Sequence, residues 1–263
     1  MSRGFAAVVL AGDRSQQDPL LELTGAGSKS LIELGGEPML LRVLKTLKQS
    51  AIIEKIISSG PSKQLLENQS GLNTLFDTDA VQWLPPQATP STSAYQALQE
   101  LPPATPVLLT TTDHIFLNEE ILTRFCQDSM AKGVDVTVGL APYALVKAGF
   151  PEMKKTVSRF REGEFCGCNL FAFLTPEGRK AADLWREVEA QRKSPLKIIK
   201  LLGWRAVIEY TLGTLSLERA MKMLSKRFGL KLDAVILPYA QAAIDVDSVD
   251  DYQLIKKRID ASN

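Results

Sequence analysis

The chain has 263 residues, enough for one large α/β domain with a full hydrophobic core. Its 31 Lys and Arg against 30 Asp and Glu leave a net charge of +1, so no global field recruits nucleic acid. No charged-then-apolar leader opens it. Its most apolar long stretch, 198–217, is broken by Lys200, Arg205 and Glu209, so a transmembrane segment is not expected and the expected location is the cytoplasm.

In chain order, Phe5-Ala6-Ala7-Val8-Val9-Leu10 reads as a short buried strand, 5–11, feeding Ala11-Gly12-Asp13-Arg14 and a polar loop. A helix over 38–49 follows, with Met39, Leu40, Val43, Leu44 and Leu47 on one side and Arg42, Lys45 and Lys48 outside. Strands are expected at 53–58, 80–84, 106–112 and 134–140, and helices at 91–100 and 118–131. Strands separated by helices imply a mostly parallel sheet covered on both faces, with ligands at the carboxyl ends of the strands. Beyond a Pro–Tyr loop and a basic stretch (Lys154, Lys155, Arg159, Arg161), a turn-rich run from Gly163 ends in Cys168-Asn169, which enters a strand. Residues 176–230 read as a helical insertion, with helix starts at Pro176, Pro195 and Ser216, the last helix running to Phe228. Strands 232–237 and 242–246 and a terminal helix 248–259 complete a single domain over 1–263, since no linker of the usual composition flanks the insertion. Cys166-x-Cys168 has no second pair for zinc, and the single histidine, His114, cannot complete a site, so reduced, partly buried thiols are expected.

A strand running into a Gly-containing loop is where an α/β protein places phosphate, because loop N–H groups point outward and Gly permits close backbone approach. A lysine downstream adds a mobile ammonium. The stretch Leu10-Ala11-Gly12, then Lys29, Leu31, Gly36, Pro38 and Met39, resembles the opening of the MobA-like NTP transferases, nucleotidyltransferases related to molybdenum-cofactor guanylyltransferase. The second glycine of that opening is Asp13 here, and the loop to Gly27 is long. Thr112-Asp113-His114-Ile115-Phe116 resembles the aspartate-ended strand of the same family. Ile244-Asp245-Val246-Asp247 resembles its late acidic segment.

The resemblance implies an α/β fold of the GT-A-like, nucleotide-diphospho-sugar transferase type: three layers around a mostly parallel sheet. It implies Mg²⁺ as cofactor, and transfer of an NMP from an NTP to a phosphate-bearing or similar small acceptor with release of pyrophosphate. Lys29 and Asp113 are then the catalytic candidates. Leu10, Ala11, Gly12, Asp13, Arg14, Lys29, Gln87 and Ser93 are candidates for nucleotide binding; Asn169, Arg159 and Arg161 for the acceptor; Asp113, Asp245 and Asp247 for the metal, whose hard charge prefers carboxylate oxygen.

Each candidate has a structural alternative. Asp113 could close a turn or cap the helix starting near Asn118; Asp247 or Ser248 could cap the last helix; Ser91 could cap the helix at 91–100; the arginines could be a solvated basic face. The apolar–basic alternation over 195–228 suits an acceptor flap or a dimer contact ahead of a membrane-surface face, so a homo-oligomer is one expectation. Three other functions stay open. One is a GT-A-type glycosyltransferase using a nucleotide sugar. Another is a non-catalytic nucleotide-binding or interaction protein on the same fold, which Asp13 favours. The last is a nicotinamide enzyme, which the absence of Gly-x-Gly-x-x-Gly disfavours.

Overall fold

The computed structural model of the chain describes residues 4–13, 17–67, 69–183, 185 and 203–261. All six residues of β1, Phe5–Leu10, are buried. An apolar run without alternation must be covered on both faces, which is the situation of a central parallel strand. Phe5, Ala7 and Val9 enter one core, with Leu40, Val43, Leu44 and Leu47 of α2 (Met39–Gln49). Ala6, Val8 and Leu10 enter a second core, with Ala94, Ala97 and Leu98 of α5 (Pro90–Gln99). Helices thus cover both faces of the sheet, giving three layers.

Among the described residues the main sheet has eight strands. Its spine runs β10 (Leu232–Ile236), β7 (Val136–Pro142), β9 (Gly163–Phe173), β6 (Val107–Thr111), β1, β4 (Ile53–Ser59), β5 (Gln82–Leu84); β8 (Ser158–Phe160) pairs with β9 alone. The pairs β1–β4, β1–β6, β4–β5 and β7–β10 are parallel, whereas β9 runs antiparallel to β6, β7 and β8. Glu33–Leu34 (β2) and Glu37–Pro38 (β3) form a small separate ribbon.

Three expectations need correction. The turn-rich run at 163–168 is the first half of β9, because Phe165 and Cys166 find partners on β7. Residues 242–246 are not a strand: Ala240–Ala243 make a 3₁₀ turn that buries Ala242, and Ile244 and Val246 then sink into the first core. The polar loop after β1 contains a helix, α1 (Pro19–Thr24), capped by Asp18 through Leu20 N–H at 2.9 Å. Two further helices, α3 (Lys63–Leu66) and α4 (Ser70–Asp77), fill the β4–β5 connection.

α6 (Glu119–Ala131) is capped by Asn118, not Asp113, with Ile121 N–H donating to Asn118 Oδ1 at 2.9 Å. α5 is capped by Thr89 in a reciprocal box with Thr92, not by Ser91. The buried Arg179 donates to the carbonyls of Leu98, Leu101, Pro102 and Thr105, satisfying the far end of α5 and the loop after it. α7 (Tyr143–Gly149) follows β7.

In the expected helical stretch, Gly178–Lys180 form a 3₁₀ turn, α8 spans Trp204–Thr211, and α9 spans Leu217–Phe228 with Ser216 as its cap. The helix expected from Pro195, with Lys197, Ile198, Ile199, Lys200, Leu201 and Leu202, lies outside the described residues. α8 leaves Trp204, Ile208 and Leu212 exposed, while Ala206 packs on Leu215 and Ala220. Among the described residues no helix is long and apolar enough to cross a membrane. The terminal helix is α10 (Val249–Asp260).

Candidate functional site

The loops leaving β1, β4 and β5 close on one another at the carboxyl edge of the sheet. Ala11 N–H donates to Ser59 O at 2.8 Å, and Gly60 N–H donates to Leu84 O at 2.9 Å. A Cβ on Gly60, whose φ is +90°, would sit 2.8 Å from Gly12 N; one on Gly12 would sit 2.9 Å from Pro86 Cβ. Glycine is therefore required at 12 and 60 for the loops to meet at all. Leu10 and Ala11 are buried, and Gly12 and Asp13 reach the surface. Arg14 lies outside the described residues.

Asp13 does not aim its charge into open space. Its Oδ1 accepts the backbone N–H of Lys29 at 2.8 Å, and Ser28 Oγ accepts that of Ser30 at 3.3 Å. Together they cap the 3₁₀ turn Lys29–Leu31. The Lys29 ammonium then stands 3.8 Å from Asp18 Oδ2 and 3.9 Å from Asp247 Oδ1, and it donates to the Asp247 carbonyl at 3.5 Å. Lys29 and Asp247, which are 218 residues apart in sequence, are thus brought together at the end of β1.

Asp113 lies just beyond the carboxyl end of β6 and accepts a short hydrogen bond from the Thr111 hydroxyl. Burial first, and then the charges of Asp245 and Asp247, push its pKa from 3.8 to about 6; Thr111 and Lys29 act the other way. Asp245 is raised as well, chiefly by burial, although Lys155 opposes the shift. The Lys155 ammonium forms a close ion pair with Asp245 Oδ1, and Asn169 Nδ2 donates to Asp245 Oδ2 at 3.0 Å. Asn169 itself has φ +50°. Four steps of β9 (Phe171 to Gly167) there face two of β7 (Val138 to Leu140), so β9 bulges and redirects the Asn169 side chain.

Asp247 is not the cap of α10. That position belongs to Ser248, whose Oγ accepts Asp251 N–H at 3.2 Å while Asp251 accepts from Ser248 N–H at 2.9 Å.

Lys29, Asp113, Asp245, Asp247 and Asn169 therefore form one neighbourhood, linked by direct contacts or by their effect on Asp113. Among the described residues no group of three His, Cys, Asp or Glu is already gathered at metal-binding distance. The donor set still fits Mg²⁺. It consists of carboxylate oxygens, and Mg²⁺ usually takes only one or two of these, leaving its other positions to phosphate and water. Burial first, and then the two neighbouring carboxylates, disfavour the charged form of Asp113, and a cation there would favour it.

The remaining candidates sit elsewhere. Gln87 N–H donates to Ser93 Oγ at 2.9 Å, and the Gln87 amide donates to Pro85 O at 3.3 Å, so both belong to the loop leading from β5 into α5. Arg159 pairs with Glu164 at 2.8 Å and Arg161 with Glu162 at 3.3 Å, both largely exposed and outside the cleft that contains Asp113. His114 is buried, and burial together with Lys155 lowers its pKa to about 4, so the ring is neutral at ordinary pH. The three thiols are free and buried, which raises Cys166 to about 11 and Cys126 to about 12. Lys155 escaped sequence reasoning: among Lys154, Arg159 and Arg161 nothing local marks it as the one whose ammonium is buried. Asp18 was missed because its loop carries no strand or helix period.

A cleft of about 630 Å³ opens from this neighbourhood, with Asp113, Lys155, Asn169, Asp245 and Asp247 among the residues that line it. Clefts of this size, apolar with a few convergent polar groups, are where small-molecule sites are found.

Comparison with known proteins bears on the fold and the family. A hypothetical transferase from Thermus thermophilus superposes with a TM-score of 0.77 at 31% identity, over 95% of this chain and 99% of that one. CMP:2-keto-3-deoxy-manno-octonic acid synthetase complexed with CTP shares the fold at a TM-score of 0.58 and 9% identity, over 99% and 100% of the two chains. So does 4-diphosphocytidyl-2C-methyl-D-erythritol synthase from Anaerococcus prevotii, at 0.57 and 14%, over 98% and 99%. The GT-A-like architecture is that of these structures. No curated protein sequence matches significantly. The profile of the MobA-like NTP transferase domain matches residues 7–150, which contain the loop from Gly12 to Lys29 and the strand end at Asp113. The chain belongs to the MobA-like NTP transferase family and is, by that membership, a nucleotidyltransferase.

Proposed function

We propose that the chain transfers an NMP from an NTP to a phosphate-bearing small acceptor, in a Mg²⁺-dependent reaction that releases pyrophosphate. The observation that carries this reading is the meeting of Lys29 with Asp113, Asp245 and Asp247 at the carboxyl ends of β1 and β6.

An acceptor oxygen forms the new bond to the α-phosphorus, the bond from that phosphorus to the bridging oxygen breaks, and pyrophosphate leaves with the electron pair. Such a reaction asks the protein mainly for positioning and charge neutralisation. The backbone of Leu10, Ala11 and Gly12 lies against the phosphates, and Asp13 holds the turn that delivers Lys29. The Lys29 ammonium neutralises charge on the phosphorus under attack. Gln87 and Ser93 line the side of the base and ribose. Asn169 faces the acceptor, and Arg159 and Arg161, cationic and outside the cleft, are outlying contacts for an anionic group on it. Asp113 and Asp245, with Asp247 beside them, would hold the Mg²⁺, which when bound supplies positive charge for the triphosphate.

Lys155 opposes the rise that burial imposes on the Asp245 pKa. Asp13 gives the altered loop a task, which weakens the reading of a loop that has lost its function. The test is pyrophosphate release from each NTP with Mg²⁺ and a panel of phosphorylated small acceptors. Release with one NTP and a subset of acceptors is expected. No release from any pair would reject the proposal.

A further inference from the structure

The cleft is not polar throughout. From the carboxylates it runs along one face of β9 and β7, passing Gly167 and Asn169 and then Phe171 and Phe173. Across the β9 bulge this stretch faces Leu140 to Val136 of β7, a span of roughly 13 Å. Val138 lies beside them on β7. Opposite stands α9, where Met221, Leu224 and Phe228 follow one another at helical spacing while Lys222, Lys226 and Arg227 face solvent. Trp185 packs on Phe171 at a ring-centroid distance of 5.4 Å and also lines the cleft.

Val138, Phe171, Leu224 and Phe228 are only half-buried, because the cleft lies between them. A wall of that kind gains nothing from a purely polar acceptor, which would leave it wet. It gains from a hydrocarbon chain that enters from the charged rim. The polar end of such a molecule stays beside Asn169 and Lys155, and its chain lies along the apolar wall.

We infer that the acceptor is an amphiphile: a phosphomonoester of a long aliphatic alcohol, whose phosphate sits at Asn169 and whose chain lies between β9 and α9. This rests on the proposed nucleotidyl transfer and narrows its acceptor class. The phosphate oxygen of the ester attacks the α-phosphorus, giving a nucleoside diphosphate linked to the chain, and pyrophosphate leaves.

The test is calorimetric titration of ethyl, hexyl and decyl phosphate, each below its micelle concentration, into protein holding Mg²⁺ and a non-hydrolysable NTP analogue. A methylene moved from water into the channel improves Kd about threefold, so decyl phosphate is expected to bind at least about a hundredfold more tightly than ethyl phosphate. Leu224→Asp should remove most of that gain and leave affinity for the NTP analogue unchanged; Leu224→Gln, the milder change, should remove part of it. Equal binding of the ethyl and decyl esters would overturn the inference, and so would a gain that survives both substitutions, since that marks adsorption. Pyrophosphate release with short acceptors alone would also overturn it, while leaving nucleotidyl transfer standing. Chain-length-dependent binding without pyrophosphate release from any NTP would support the channel and reject the transfer reading.

Discussion

The two halves of the site are held by different means. On the side of β1, β4 and β5, position is set by the backbone: strand hydrogen bonds, two glycines too close to their neighbours for a Cβ, and a capped 3₁₀ turn beneath Lys29. On the side of β7, β9 and α10, it is set by side chains that meet across the fold: Lys155 and Asn169 on Asp245, and a bulge at Asn169. The first half is preformed, and the Lys29 ammonium can be removed without unseating the turn beneath it. The second is a charge balance, and removing one member leaves the others exposed to a buried, like-charged neighbourhood. One half can therefore hold a fixed phosphate geometry while the other is chosen by what it binds.

The largest expected effect breaks the charge balance at Asp113. Asp113→Asn should lower turnover roughly 10²–10³-fold, the scale of losing one preorganised electrostatic contact. Stability should move the other way. The folded pKa of Asp113 is raised from 3.8 to about 6, so its favourable contribution is present below pH 4 and is lost as pH rises through about 6. Thermal melts from pH 4 to pH 7 should show wild type falling relative to the variant, and Mg²⁺ should raise the wild-type Tm at pH 7 but not that of the variant. Parallel melting curves at all pH values would remove Asp113 from the carboxylate cluster.

Lys155 comes next. Its side chain is 9% exposed and that of Asp245 is 16%. Lys155→Met should cost about 2–4 kcal/mol in denaturant unfolding, most of it from leaving Asp245 buried beside Asp247 without its partner. Adding Asp245→Asn should recover part of that loss. A double variant no more stable than the single one would show that the pair is not coupled. On the backbone-set side, Lys29→Ala should weaken NTP binding about tenfold to a hundredfold, equivalent to roughly 1.5–3 kcal/mol. Its Tm should barely change, because the turn beneath it is capped by Asp13 and Ser28 rather than by its ammonium. Calorimetry that found unchanged NTP affinity would exclude Lys29 from the phosphate contacts.

The same contrast decides what could be read from sequence. β1, α2 and α9 follow from apolar runs and periods, and Ser216 is recognisable as a cap from local chemistry. Asp113 is legible because an aspartate closes a buried strand. Asp245 and Asp247 are legible as acids, but not their separate fates. Nothing near 245 announces that Lys155, 90 residues earlier, neutralises it, or that Lys29 finds Asp247. The strand expected at 242–246 failed for a related reason: Ala242, Ile244 and Val246 alternate as a strand does, yet their burial comes from packing beneath β7 and α7 rather than from a sheet ladder. β9 was half missed because glycines and cysteines at 163–168 read as a turn, and only its partner β7 makes them a strand.

The smallest effect separates two readings of Asp13, the residue that replaces a glycine of the family's opening. If its charge repelled the triphosphate, both Asp13→Gly and Asp13→Asn would strengthen NTP binding. The geometry predicts otherwise. Asp13 Oδ1 accepts Lys29 N–H at 2.8 Å, and an asparagine oxygen can do the same. Asp13→Asn should therefore leave both Tm and affinity close to wild type. Asp13→Gly loses the cap and frees the chain before Lys29, at a cost of about 0.5–1 kcal/mol in stability and a few-fold in NTP affinity. Comparing the two variants by calorimetry and thermal melts isolates the hydrogen bond from the charge. Tighter NTP binding in both would show that the acid opposes the ligand, and the 3₁₀ turn at Lys29 would then owe its position to Ser28 alone.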